Sequence, residues 1–132
     1  MAIQLSVPVR NARLDAIETV VGTTAKLKIF SGTVPAACSA ADPAGALVTY
    51  TFASDWMTAA ASGTKGKEAG TWSTTAAAGV AASFRIYAND GVTCGVQGTC
   101  DQGSGDLSFD NKTFTAGQTV VINTMTYTDG NV

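Results

Sequence analysis

No histidine occurs in this chain of 132 residues, and that absence excludes more chemistry than any residue present supplies. Ser–His–Asp and Cys–His sites both need an imidazole to take the proton of the nucleophile. Glutamate is almost as scarce. Glu18 and Glu68 stand alone, one in an expected helix and one in an expected loop beside Lys65 and Lys67. A carboxylate pair of the glycosidase kind therefore has little to draw on. Charged residues reach only 14%, against about 25% in ordinary domains. No apolar run approaches the ~20 residues of a membrane span. The first expectation is a non-enzymatic protein with no catalytic, cofactor-binding or metal residues, no cofactor, and neither nucleic acid nor membrane as partner.

The cysteines form an odd set: Cys38, Cys94 and Cys100. An odd count argues against a fully paired secreted framework. Cys94 and Cys100 would pair if they faced each other across a tight hairpin; free, partly buried thiols in a reducing cytoplasm are the default expectation. Three cysteines without histidine make no credible zinc site. The stretch Met1-Ala2-Ile3-Gln4-Leu5 lacks the basic start and apolar core of a signal peptide, so a cytoplasmic origin is expected.

Eight basic residues against ten acidic ones give a net charge of −2, too little positive charge for phosphate binding along a duplex. The charge is uneven. Residues 1–35 carry Arg10, Arg13, Lys26 and Lys28 against Asp15 and Glu18, whereas 89–132 carry Lys112 against Asp90, Asp101, Asp106, Asp110 and Asp129. Two readings follow: acidic turns facing solvent, or a polarity that steers contacts between copies or docking onto a charged lattice. The Gly-rich segment from Asp101 to Asp106 reads as a polar turn, with a calcium loop as the alternative.

What is present alternates. Ile3, Leu5, Val7 and Val9 alternate with polar residues and Pro8, predicting a half-buried edge strand over Ile3–Val9. Asn11 then caps an expected short helix carrying Leu14, Ile17 and Val21, ended by Gly22. Strands are expected over Ala25–Phe30 and Ala46–Phe52, joined by a long loop, Ser31–Gly45, that reads as an interaction arm. Ser54-Asp55-Trp56-Met57 predicts a short helix with Trp56 turned to the core, and Ala59–Gly70 a mobile surface loop. Further strands are expected over Gly70–Thr75, Ala81–Ala88, Val92–Thr99, Asp106–Asp110 and Gln118–Thr128, with Asn89-Asp90-Gly91 as a hairpin turn. Trp56, Trp72, Tyr50, Tyr87 and Tyr127 read as core residues, with an exposed carbohydrate platform as the alternative.

This pattern predicts one mainly β domain over 1–132. Its expected architecture is a β-sandwich or jelly roll of about eight antiparallel strands, with one short N-terminal helix.

Several stretches then resemble a known family as a set. They are Leu14-Asp15-Ala16-Ile17-Glu18-Thr19 with Gly22-Thr23, Pro35-Ala36-Ala37-Cys38-Ser39-Ala40-Ala41-Asp42, Ser54-Asp55-Trp56-Met57, Gly70-Thr71-Trp72, Ala82-Ser83-Phe84-Arg85-Ile86-Tyr87, and Asp110-Asn111-Lys112-Thr113-Phe114 through Ala116-Gly117-Gln118. The pattern, from about residue 10 to 129, is similar to small virion structural proteins encoded among the head genes of tailed bacteriophages and prophages. The resemblance implies a capsid decoration (cement) protein that binds the outside of the major capsid protein lattice as a homodimer or homotrimer. Its implied place is the capsid surface, after assembly in the host cytoplasm. The alternatives are a tail or head–tail connector component, or a tail-tip receptor- or carbohydrate-binding module. Ile3–Val9 and Ser31–Gly45 are the expected contact elements.

Overall fold

Alternation decides the first strand. In Lys26–Phe30 (β1), Leu27 and Ile29 are fully buried, while Lys26 and Lys28 share the opposite, half-buried face. The computed structural model describes residues 3–130. Its elements in chain order are one helix, Val7–Val21 (α1), then β1, Ala46–Thr51 (β2), Thr64–Gly66 (β3), Trp72–Thr75 (β4), Gly79–Val80 (β5), Ser83–Tyr87 (β6), Cys94–Gln102 (β7), Leu107–Phe109 (β8), Thr113–Phe114 (β9) and Thr119–Thr128 (β10).

The strands build one curled sheet in the order β2-β1-β6-β7-β8-β10, with β3 and β4 both paired to β10, and a separate small pair, β5 with β9. The fold is mainly β and sandwich-like, as expected. The curl brings the two ends of the sheet together. β2 packs against β4, and just beyond β4 the Ala77 N–H donates to the Leu47 carbonyl at 2.8 Å. Phe52 seals this seam, stacked on Trp56 with centroids 4.9 Å apart and tilted against Trp72 at 4.4 Å.

One pairing departs from the antiparallel expectation: β8 runs parallel to the end of β7, with Cys100 opposite Leu107. Parallel neighbours usually need a crossover of a dozen residues or more. Here the chain doubles back within four, Gly105 bridging Cys100 before β8 begins. Gly103 (φ +67) and Gly105 (φ +84) supply the left-handed conformations this path demands.

Three other expectations are corrected. No strand covers Ile3–Val9: residues 3–6 lie outside any regular element and α1 begins at Val7. Pro8 sits in the first helical turn, where its missing N–H costs nothing, and the chain turns into the helix with the Arg10 N–H on the Ser6 carbonyl. The Ser54–Met57 stretch is extended rather than helical, although Trp56 is buried as expected. The Ala59–Gly70 stretch contains β3, the return arm of a hairpin in which Ala61 pairs with Thr64 and Met57 with Lys67.

Candidate functional site

Two polar clusters and one acidic turn carry the titratable side chains that the sequence singled out. The first joins α1 to β3. Asn11, Asp15 and Glu18 recur at helical spacing and form an acceptor stripe beside the apolar stripe of Leu14, Ile17 and Val21. Asn11 accepts from the Gly63 N–H, Asp15 from the Ala60 N–H, and Glu18 Oε1 from the N–H groups of Trp56 and Met57 at 2.9 and 3.1 Å. Lys65 rises from β3 into this stripe and is 3% exposed. Its Nζ donates to Asp15 Oδ1 at 2.9 Å and the Thr58 carbonyl at 2.8 Å, and lies 3.2 Å from Glu18 Oε2. Three partners account for the three ammonium hydrogens. Burial alone would lower the Lys65 ammonium, but the hydrogen bonds to Asp15 and Glu18 outweigh it and raise it. The Lys65 hydrogen bond in turn holds Asp15 below the ordinary carboxylate value.

Glu18 and Glu68, far apart in sequence, border the same open depression together with Asp55. The negative charge of Glu18 is the first cause that raises Asp55. This geometry gathers carboxylates, yet Glu18 is committed on both oxygens to backbone N–H groups and to Lys65. A carboxylate held that way is an anchor for the chain; a general base would need a free lone pair aimed at a substrate.

The second cluster lies under the Ser31–Gly45 loop. Arg85 and Tyr87 point away from Phe84 and Ile86, as the alternation of β6 predicts, but all four are buried. The loop covers their face. Arg85 donates to the carbonyls of Ala37 (3.0 Å) and Ala40 (2.9 Å), to Asp42 Oδ1 (3.0 Å) and to Gln97 Oε1 (3.2 Å). The Tyr87 hydroxyl donates to the same Asp42 oxygen. That hydroxyl is the first cause holding Asp42 low, while burial first, then the carboxylate, raises Tyr87. Lys28 sits 4.6 Å over the Tyr87 ring and reaches the Gly91 carbonyl. The segment expected as an interaction arm is fastened to the sheet at Pro35, Ala37, Ala40 and Asp42.

The acidic turn is also occupied by the chain itself. Asp101 pairs with Lys112 at 2.9 Å, and Asp106 accepts from the backbone and hydroxyl of Thr99. Both carboxylates of the calcium alternative thus face internal partners. Among the described residues, no three His, Cys, Asp or Glu side chains group as metal ligands would.

The two poles of the charge pattern meet: Arg10 donates to the Asp129 carbonyl at 2.9 Å, and Arg13 lies 3.3 Å from the Asp129 carboxylate. Of the expected aromatics, Trp56, Trp72 and Tyr87 lie in the interior, and Tyr50 and Tyr127 are half-buried against the core. The three cysteines are free, as the default expectation had it, and the alternative pairing of Cys94 with Cys100 does not occur. Cys94 faces Cys38, and Cys100 lies six residues further along the same strand, about 20 Å away at strand rise. Sequence reasoning named Lys65 and Cys38 but found the partners of neither, because both acquire them only through tertiary packing. Among the described residues, no helix is long and apolar enough to cross a membrane. No protein-family model, curated protein or solved structure matches the chain.

Proposed function

We propose that this protein is a non-enzymatic structural component of a tailed-phage particle, a capsid decoration protein that binds the outside of the major capsid protein lattice. The observation that carries the reading is where the charged side chains are spent. Lys65, Arg85, Glu18, Asp42, Asp106 and Asp129 each fasten one segment of this chain to another. Apolar side chains, by contrast, are left facing outward: Ile3, Val7 and Val9 in the N-terminal segment, at 83%, 42% and 46% exposed, and Val20, Val80, Val92 and Val121 elsewhere. A scaffold tied internally, with apolar groups turned out, three of them within one short segment, suits adhesion to another subunit better than it suits turnover of a substrate.

The mechanism is burial of surface. Contacts on the order of 800 Å² per partner, repeated over a lattice, resist outward pressure collectively. The contact element is the N-terminal segment leading into α1, acting through apolar burial; the strand pairing expected from the sequence has no strand there to perform it.

The test mixes the purified protein with expanded capsids that lack it and measures co-sedimentation and stoichiometry. Saturable binding at a fixed ratio to the major capsid subunit is the expected result. Deleting residues 1–4, which removes Ile3 and leaves Ser6 and the start of α1 in place, should weaken that binding with the melting midpoint unchanged. Failure to bind capsids, with the protein recovered in tails, would assign it to a tail or connector role.

A further inference from the structure

Two thiols from distant parts of the chain meet beneath the Ser31–Gly45 loop. Cys38 Sγ lies 2.8 Å from Cys94 Sγ, across 56 residues of sequence. The loop is held on either side of Cys38. Gln97 donates to the Pro35 carbonyl at 2.7 Å, and Arg85 binds the carbonyls of Ala37 and Ala40. Cys94 opens β7 opposite Tyr87, at the register shift that follows Ile86. Both thiols border an open depression shared with Asp42, Arg85 and Thr93, so a small solute can reach them. Cys100 is only 4% exposed and stands in the core.

We propose that Cys38 and Cys94 are a modification site, forming an intramolecular disulfide by exchange with a small soluble disulfide such as oxidised glutathione, and so locking the loop onto the sheet. The inference stands on the thiol geometry and is independent of any role on a particle.

The exchange proceeds in two displacements. The Cys38 thiolate attacks one sulfur of the small disulfide, making a mixed disulfide and releasing one small thiolate. Cys94 then loses its proton to solvent and attacks the Cys38 sulfur, expelling the second. Two protein thiols are oxidised to one disulfide, and one small disulfide is reduced to two small thiols. Burial first, then the Cys38 thiol, pushes the Cys94 thiol up. Capping Cys38 removes the second of those causes, while the Arg85 charge continues to favour the thiolate.

The experiment incubates the full-length protein with oxidised glutathione, blocks remaining thiols with N-ethylmaleimide, and maps the non-reduced digest by mass spectrometry. The expected product is monomeric, two hydrogens lighter, and joins the Cys38 peptide to the Cys94 peptide. Cys100→Ala should give the same link, which separates Cys94 from the cysteine sharing its tryptic peptide. Glutathione adducts without a link, a link to Cys100, links between copies, or no reaction would each overturn the proposal. Locking has its own readout. Amide exchange within 31–45 should slow at least about tenfold in the oxidised wild type relative to the reduced one. Unchanged exchange would remove the locking role.

Discussion

The ammonium of Lys65 lies 2.9 Å from the carboxylate of Asp15, a bond that joins the middle of α1 to a strand 50 residues further along the chain. The lysine side chain is 2% exposed and the aspartate side chain 47%. The pair is therefore asymmetric: water still reaches the acid, while the base depends on the protein for every hydrogen bond it makes. Glu18, at 19%, is the more sheltered acid of the two facing Lys65.

Replacing Lys65 should show that dependence. Lys65→Met keeps the bulk of the stem but strips Glu18 of its counter-charge and the Thr58 carbonyl of its donor. The expected loss is about 2 kcal/mol, below the 3–5 kcal/mol of fully buried pairs because Asp15 rehydrates. Urea unfolding should show a lower midpoint at an unchanged slope. The cycle closed with Asp15→Asn should give a measurable coupling, and additive effects would show that the pair contributes nothing.

Acid should lower the stability of the protein through a small set of carboxylates. Asp15, Asp42, Asp90 and Asp101 are each held below 3.8, chiefly by hydrogen bonds from Lys65, Tyr87, Thr93 and Lys112 respectively. A depressed folded-state value contributes stability that is fully present above the unfolded value and is lost as pH falls through the folded one. Stability should be level down to about pH 5 and then drop, the unfolded chain taking up protons first. A urea midpoint measured at steps from neutral to pH 3 checks this, and a flat profile would refute it.

Arg85 should control the loop more than the sheet. Arg85→Met leaves the Ala40 carbonyl without its donor and the Ala37 carbonyl with the Ala40 N–H alone, and frees Asp42 from its ion pair. The cost should be about 2 kcal/mol overall. Proteolysis and amide exchange should concentrate their increase within 31–45, while β1 and β6 remain protected. An increase spread evenly over the sheet would mean that Arg85 acts as a core residue instead.

The strands were the most legible part of this fold, because period-2 alternation over Lys26–Phe30 and the β-branched run ending at Thr128 each have one good solution. Ile3–Val9 was misread for a related reason. Its alternation is equally regular, but Pro8 fits a first helical turn as well as an edge strand, and only packing distinguishes them. The α1 stripe was half legible. Leu14 and Val21 are buried as expected, yet Asn11, expected as the cap, lies inside a helix whose N-cap is Ser6, and the acceptor role of Asn11, Asp15 and Glu18 emerges only when the 56–65 segment arrives to use it. The Ser31–Gly45 loop has no periodicity to read, so its attachment to Arg85 and the meeting of Cys38 with Cys94 are visible only in the folded chain.

Asp55 supplies a prediction of opposite sign. The charge of Glu18, followed by burial and Glu68, raises it above 3.8. A raised carboxylate marks an ionised form that the fold disfavours. The penalty is present above the raised value and relieved as pH falls through it. Asp55→Asn removes the charge while keeping a polar side chain of the same shape. The variant should melt slightly higher than the wild type at pH 7, and the difference should vanish near pH 3, where Asp55 is protonated anyway. Thermal unfolding of both proteins at the two pH values is sufficient. A lower midpoint at pH 7 would mean that attraction to Lys65 outweighs repulsion from Glu18 and Glu68, and that the acidic rim of this depression stabilises the fold.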